Sequence, residues 1–282
     1  MSLPQVRTNR HFLPRLFIYL GLLLGTVIYL GPFVWQVRSS LMTLSNIFAY
    51  PPILWPEDPQ WKNYVDIFSI IPFGTYYFNT IFLVVWNILG TLISNVCIAF
   101  ALARIPFKGR KTLFALSIGT LMIPSAVTMI PTYIQWSWLG GLNSFWPLIV
   151  PSFFGNAFFI FLLVQFFRSI PREYDEAAFV DGAGYPQILL KLIVPMAQPA
   201  IAVVVIFTFL NTWNDFMGPL FYLNDNKLFT LALGLKSLLS SYNSYWHLLM
   251  AGATLVSLPL ILVFFFAQKS FVEGLTAGGI KG

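Results

Sequence analysis

Six long apolar segments, joined by short polar connections, set the strongest limit on what this chain can fold into. They cover approximately residues 13–37, 78–103, 112–134, 145–167, 199–223 and 246–271. Roughly 20 helical residues cross a bilayer core about 30 Å thick, so each segment is long enough to span it. Only 9% of the 282 residues are charged, whereas about a quarter are charged in a typical soluble domain. The sequence predicts an all-α, polytopic membrane protein with six transmembrane helices in one domain, residues 1–282.

Several other classes of protein are excluded by composition. An apolar content of 57% is far too high for a disordered chain. The net charge of +6 does not indicate nucleic acid, because the basic residues are scattered rather than gathered on one face. The single cysteine, Cys97, and the isolated His11 and His247 predict no disulfide framework and no metal site. Residues 13–37 exceed the usual signal-peptide core and lack a clear cleavage signal, which favours a retained anchor.

The distribution of lysine and arginine predicts the orientation in the membrane. With the N-terminus inside, four basic residues lie outside: Arg38, Lys62, Lys227 and Lys236. Twelve lie inside: Arg7, Arg10, Arg15, Arg104, Lys108, Arg110, Lys111, Arg168, Arg172, Lys191, Lys269 and Lys281. Because basic residues concentrate on the cytoplasmic side of membrane proteins, both termini are predicted to be cytoplasmic.

The loop at residues 168–198 is the most informative connection. Acidic residues at its start and Gly182 near its middle predict a helix of little more than two turns. A second helix is predicted from Pro186 along the membrane interface. The first helix presents Tyr174, Ala177, Ala178 and Asp181 on one face, where small side chains allow another surface to approach closely. By the residues alone, an ordinary connector packed on its own protein is an equal alternative.

Three spaced motifs carry a resemblance to a known family. Glu176-Ala177-Ala178, then Gly182 and Ile193-Val194-Pro195, resemble the EAA loop of ATP-binding-cassette (ABC) importer permeases, although Leu-Pro is commoner than Val194-Pro195. Trp213-Asn214-Asp215 and the ending from Gly274 to Gly282 are similar to the carbohydrate-uptake branch, specifically its maltose-permease-G-like subunit. The resemblance covers essentially the whole chain and implies a type I importer permease fold.

The resemblance also implies how the chain is coupled to ATP. In the family, the EAA helix is a coupling helix seated in a cleft of a separate ATPase, which on this chain involves Glu176, Ala177, Ala178, Asp181 and Gly182. The cytoplasmic tail, residues 272–282, would contact the ATPase through Thr276, Ala277, Gly278, Gly279 and Lys281, the alternative being a frayed basic end near lipid headgroups. The sequence contains no G-x-x-x-x-G-K-[ST] motif. A non-enzymatic subunit without a cofactor is therefore expected, with ATP and Mg bound by the partner ATPase.

Polar residues near the outer side are the candidates for contacts with cargo. Asp215 is the acidic residue found within a predicted span, and such residues often mark function. Its position near the outer edge favours a structural role beside Asn211 and Asn214, with the outer end of the pathway as the alternative. The polar loop at 224–245 includes Tyr242, Asn243 and Tyr245, which in maltose-type relatives would probe the binding protein; an ordinary surface loop is equally compatible.

The family implies a set of partners in a prokaryotic cytoplasmic (inner) membrane. These are a maltose-permease-F-like second permease, two copies of the ABC ATPase, an extracytoplasmic solute-binding protein, a carbohydrate and membrane lipid. A self-sufficient proton- or sodium-coupled transporter is the main rival. It is disfavoured because five of the six predicted spans contain no acidic residue. An intramembrane enzyme would require a cluster of catalytic residues that the sequence lacks.

Overall fold

The computed structural model describes residues 12–239 and 244–279, and regular structure in this part of the chain is helical, without a named strand. Its α-helices, in chain order, are α1 (Phe12–Ser40), α2 (Leu44–Ile47), α3 (Asn63–Ile70), α4 (Phe73–Arg104), α5 (Arg110–Gly119), α6 (Ser125–Trp138), α7 (Trp146–Ile149), α8 (Ala157–Ser169), α9 (Glu173–Val180), α10 (Tyr185–Ile188), α11 (Val194–Met196), α12 (Gln198–Trp213), α13 (Met217–Tyr222), α14 (Leu231–Lys236) and α15 (Trp246–Gly279). A π-helical turn, Leu189–Ile193, makes α10 and α11 one continuous helical run.

Four described segments are long and apolar enough to cross a membrane. They are Phe17–Ser40, Phe73–Arg104, Trp146–Ser169 and Trp246–Phe266. Two sharply bent pairs of helices raise the number to six if each pair forms one span. The all-α membrane fold predicted from the sequence is therefore confirmed, and its helices fall where four of the six predicted spans lie.

The third predicted span, 112–134, is two helices and not one. Arg110–Met122 and Ser125–Trp138 meet at an angle of 99°. Proline has no N–H to donate and disfavours helical geometry in the residue before it. Ile123, which precedes Pro124, is accordingly extended, with φ −85° and ψ 113°. The bend follows from this proline.

The fifth predicted span, 199–223, also needs correction. α12 ends at Trp213 and α13 begins at Met217, so the helix is interrupted at residues 214–216. At its other end, Gln198–Trp213 follows Tyr185–Met196 at a bend of 81°. The following segment, predicted as an outer loop, contains α14, whose Leu231 is fully buried.

The chain divides into two compact units, Met1–Ser69 with Leu238–Leu255 and Ile70–Ser237 with Val256–Gly282. In the first unit, the buried amide of Asn63 donates to the carbonyls of Ser40 at 2.8 Å and Met42 at 3.0 Å. The Tyr64 hydroxyl lies 2.6 Å from the Ser40 hydroxyl. These bonds hold α3 against the end of α1 and satisfy backbone groups that the helix end leaves unpaired.

The core of the second unit forms where α4, α8, α12 and the run 185–196 pack together. Leu163 and Phe167 of α8, Ala99 of α4 and Ile193 are fully buried there. α4 lies at the centre of this unit and contacts both α8 and α12. Its packing positions the short helix α9, which follows α8 directly.

Candidate functional site: the α9 helix and the end of α12

α9 is a two-turn helix with a well-defined end. The chain leaves it through Gly182, which adopts a left-handed φ of +80°. The Gly182 N–H donates to the Phe179 carbonyl at 3.0 Å and the Ala183 N–H to the Ala178 carbonyl at 2.9 Å. This pair of bonds is the Schellman motif, in which glycine avoids the steric strain that a Cβ would introduce. The turn predicted at Gly182 therefore has a definite geometric cause.

The first residue of α9 is Glu173. The nearby Ser169 is the last residue of α8, and its hydroxyl donates to the Phe166 carbonyl at 2.7 Å. Arg172 occupies the cap position without a capping side-chain bond. The three acidic residues of the first turn nevertheless match the positive end of the helix dipole: Glu173, Asp175 and Glu176.

A buried ion pair fastens α9 to the end of α4. Arg104 Nη1 lies 3.1 Å from Asp175 Oδ2, and Arg104 Nη2 donates to the Ile170 carbonyl at 2.8 Å. The residues are only 6% and 9% exposed. Buried charges of this kind are tolerated because they are paired. The guanidinium thus joins the end of a long apolar helix to both the entry and the first turn of α9.

The exposed surface of α9 differs from the face expected from the sequence. Glu176, Ala177, Asp181 and Gly182 are exposed. Ala178, predicted to lie on the same face, is half-buried and packs against the core of the second unit. Val180, which was not predicted for this face, is 89% exposed. Val180 and the neighbouring carboxylates of Glu176 and Asp181 are thus exposed parts of the surface of α9.

A recess of about 210 Å³ lies between α9 and α4. Its lining residues are Phe100, Arg104, Pro106, Arg172, Asp175, Glu176, Phe179, Tyr185 and Ile188. Phe179 contacts Tyr185 edge-to-face at a centroid distance of 5.2 Å, and Tyr185 contacts Phe100 at 6.3 Å. This aromatic series and the ion pair support α9 from beneath, leaving its outer surface free.

The Trp213-Asn214-Asp215 element serves the fold at the end of α12. The indole of Trp213, 3% exposed, donates to the Val256 carbonyl at 3.2 Å. The Asn214 amide donates to the Leu210 carbonyl of its own helix at 2.8 Å. Asp215 Oδ1 accepts from the Gly218 N–H at 3.0 Å and so begins the turn into α13. The structural role expected for Asp215 beside Asn211 and Asn214 is compatible with this bond, which lies within the turn that follows α12.

Asn211 and Asp215 also line a polar recess of about 350 Å³, separate from the one beneath α9. The other lining residues are Leu83, Asn87, Leu148, Thr212 and Pro219. Asn87 comes from the middle of α4 and was not among the residues predicted for a site. Three elements, α4, α12 and the turn before α13, therefore bring polar groups together.

The remaining predicted contacts are placed only in part. Tyr242, Asn243 and Lys281 lie outside the described residues. The Tyr245 N–H donates to the Leu238 carbonyl at 3.0 Å. Thr276, Ala277, Gly278 and Gly279 belong to α15, so the residues predicted as a tail from 272 continue the helix as far as Gly279.

The bent membrane helices and the exposed two-turn helix α9 are compatible with the transmembrane permease subunit of an ABC importer. Residues 95–276 match the family described as the binding-protein-dependent transport system inner membrane component, and the chain belongs to this family.

Related proteins agree with this assignment over nearly the whole chain. The inner membrane ABC transporter permease protein YcjP of Escherichia coli (strain K12) is 31% identical, covering 98% of this chain and 99% of that protein. The arabinooligosaccharides transport system permease protein AraQ of Bacillus subtilis (strain 168) is 32% identical, covering 99% and 98%. Among solved structures, a bacterial ABC transporter involved in the import of the acidic polysaccharide alginate matches with a TM-score of 0.82 and 26% identity, covering 96% of this chain and 100% of that one.

Two features of the α9 region escaped the sequence reasoning. The partner of Asp175 could have been sought in Arg104, since an arginine that directly ends a 32-residue apolar helix is a candidate for a buried pair. Nothing in the sequence distinguishes Val180 from its neighbours, because its exposure depends on which side of α9 meets the core.

Proposed function

We propose that this chain is the permease subunit of a carbohydrate importer and that it forms half of the pathway across a prokaryotic cytoplasmic membrane. YcjP is named as an ABC transporter permease, and AraQ as a permease of an arabinooligosaccharides transport system. The second name supports a sugar as cargo. The pathway opens alternately to the two sides, driven by ATP binding and hydrolysis in a separate subunit. ATP and Mg are bound there and not by this chain.

The observation that carries the proposal is the way α9 is held. The Arg104–Asp175 pair fixes the helix to α4 from below, while Glu176, Ala177, Val180 and Asp181 remain exposed. A helix of eight residues is not stable in water without such support. α9 is the coupling helix, and its exposed surface docks onto the ATPase.

The family provides the rest of the assembly. A second, maltose-permease-F-like permease completes the pathway, two ATPase copies bind on the cytoplasmic side with α9, and an extracytoplasmic binding protein delivers the sugar. Both termini are cytoplasmic, as the distribution of basic residues predicts. Membrane lipid surrounds apolar helices such as α1, whose side chains are largely exposed.

Two further contacts belong to the proposal. The end of α15, Thr276 to Gly279, together with Lys281, reaches the ATPase. Tyr242, Asn243 and Tyr245 meet the binding protein on the opposite side of the membrane. The resemblance of the sequence ending and of the polar loop to maltose-type permeases supports both contacts.

Purification of the tagged chain with every protein that accompanies it tests the assembly. We expect a second permease, an ATPase and a binding protein, and ATP-dependent uptake of a neutral oligosaccharide after reconstitution in vesicles. A chain purified alone that still transports without ATP would instead be a secondary transporter.

Cross-linking tests the docking surface directly. In a Cys97→Ser background, Ala177→Cys should form a disulfide with a cysteine introduced in the cleft of the ATPase. Leu190→Cys is the matched control, because Leu190 is also exposed, at 66%, but lies outside α9. Equal cross-linking at both positions would remove the assignment of α9 as the docking element.

A further inference from the structure

We propose that the polar recess at the end of α12 is a sugar-binding subsite of this chain, in which Asn87, Asn211 and Thr212 hydrogen-bond to hydroxyl groups of an uncharged carbohydrate as it passes. The inference rests on the proposed function and extends it: this permease itself contacts the cargo, and it selects a neutral one.

Asn87 is unusual among the amides of α4. The Asn79 amide donates to the carbonyls of Lys227 at 2.9 Å and Phe229 at 3.0 Å. The Asn95 amide donates to the Thr91 carbonyl at 2.7 Å. The side chain of Asn87 makes no hydrogen bond with any residue that the structure describes, although it is half-buried.

The depth of Asn87 makes this lack of a partner significant. It lies 14 residues after Phe73 and 17 before Arg104, or about 21 Å and 26 Å along the helix axis at 1.5 Å per residue. An amide without a hydrogen bond in the hydrocarbon costs several kcal/mol, on the order of 2–7. A polar group at such a depth therefore faces water or a ligand and is a candidate for function.

Two more unpaired groups meet Asn87 where α12 stops. The side chains of Asn211 and Thr212 line the same recess and form no side-chain hydrogen bond within the described part of the chain. Discontinuous membrane helices commonly form the binding site of a transporter. The interruption at residues 214–216 produces this arrangement.

The chemistry of the lining favours a sugar. An amide offers both donors and an acceptor, and a threonine hydroxyl offers both as well, which matches hydroxyl groups that also do both. Asp215 adds a carboxylate whose Oδ1 is already occupied by the Gly218 N–H. A volume of about 350 Å³ lies within the range of small-molecule sites.

The charge of the lining separates neutral from acidic cargo. Asp215 is present, and no basic side chain is among the described residues that line the recess. A carboxylated sugar would meet repulsion and no compensating cation. The similar alginate transporter handles an acidic polysaccharide, so the two proteins are expected to differ here.

Reconstituted importer, with both permeases, ATPase and binding protein, provides the test. Uptake of radiolabelled raffinose, arabinotriose, galactotriose and diacetylchitobiose is measured together with ATP hydrolysis. We expect Asn87→Ala and Asn211→Ala to reduce sugar transported per ATP at least fivefold and to alter the order of preference, while Asn87→Ser retains part of the activity. Ser117→Ala is the control, because that hydroxyl bonds within its own helix α5 and does not line the recess, and it should stay within twofold of the parent.

Co-purification and cysteine labelling distinguish the other outcomes. If Asn87→Ala loses the second permease on purification, the recess is a subunit interface and the subsite is refuted. Asn87→Cys and Asn211→Cys in a Cys97→Ser background should react with a membrane-impermeant methanethiosulfonate and be protected by the transported sugar. Unreactive cysteines, or unchanged preference and coupling in both alanine variants, would also refute it. Absence of ATP-dependent uptake in the parent complex would instead contradict the proposed carbohydrate function.

Discussion

Removal of Asp175 should separate α9 from α4 and uncouple the transporter. In Asp175→Ala, Arg104 keeps its bond to the Ile170 carbonyl at 2.8 Å but loses the carboxylate 3.1 Å from Nη1. Breaking one side of a buried ion pair costs about 3–5 kcal/mol, because the remaining charge stays buried without compensation. The recess beside the pair, about 210 Å³ in volume, is large enough for water, which favours the lower end of this range, about 3 kcal/mol.

That energy can be converted into a population. At about 1.4 kcal/mol per factor of ten, a loss of about 3 kcal/mol lowers the ratio of seated to detached α9 by roughly a hundredfold. Uptake by the reconstituted complex should fall accordingly, while insertion and total helix content stay unchanged. Hydrogen exchange of the amides in residues 173–182 should become faster, since these amides would no longer be held in a docked helix.

Two control variants test whether the unpaired charge of Arg104 is the cause of the effect. Glu173 belongs to the same first turn but is exposed and forms no ion pair with a described residue, so Glu173→Ala should change stability by less than about 0.5 kcal/mol. The double variant Arg104→Met, Asp175→Leu should be less impaired than Asp175→Ala, because no charge is left unpaired. Normal uptake in Asp175→Ala would refute the reasoning. So would a double variant whose loss of uptake equals the sum of the losses measured for Arg104→Met and Asp175→Leu separately.

Three further predictions concern other contacts. Gly182→Ala should destabilise the exit of α9 by about 1–2 kcal/mol, since φ is +80° there, and Gly182→Pro should abolish uptake; normal uptake in the proline variant would contradict the role of the turn. Val180→Asp should weaken ATPase binding in pull-down experiments without lowering the melting temperature of the permease, with the 70% exposed Val65→Asp as the control. Asn95→Ala should lower thermal stability by about 1–3 kcal/mol, because Asn95 Oδ1 accepts from the Asn156 N–H at 2.7 Å; Asn87→Ala, which breaks no such bond, should leave the melting temperature nearly unchanged.

The sequence predicted the long helices well because their signal is local. α1, α4 and α15 each contain a predicted apolar segment in full, and α7 and α8 together cover most of a fourth. Hydropathy over a window of about 20 residues is sufficient to find them. The interruptions were harder to predict. Pro124 and Pro131 both lie in the third segment, yet the chain bends at the first and continues through the second within α6, a choice that depends on packing.

The same contrast applies to the site residues: features formed by residues close in sequence were predicted, and the ion pair between two helices was not. The position and end of α9 follow from acidic residues and Gly182, which are close in sequence. The partner of Asp175 lies in another helix, and hydrophobic pattern alone does not pair residues so far apart. Ala178 was placed on the outer face by its helical spacing from Tyr174 and Asp181, whereas the structure has it half-buried against the core of the second unit. Helical periodicity gives relative and not absolute directions around the axis.

α4 connects the features on which both proposals depend. Near its start, Asn79 and Thr80 bind the segment before α14, the latter by accepting from the Leu231 N–H at 2.9 Å. Asn87 faces the recess in the middle, and Arg104 holds α9 at the end. Helices α1, α6 and α15 each contain an internal proline, whereas α4 contains none over 32 residues. Because sharp kinks in helices arise mostly at proline or similar defects, α4 is suited to move as one body. Under the two proposals, a displacement of α9 by the ATPase would therefore reach the recess through a continuous helix.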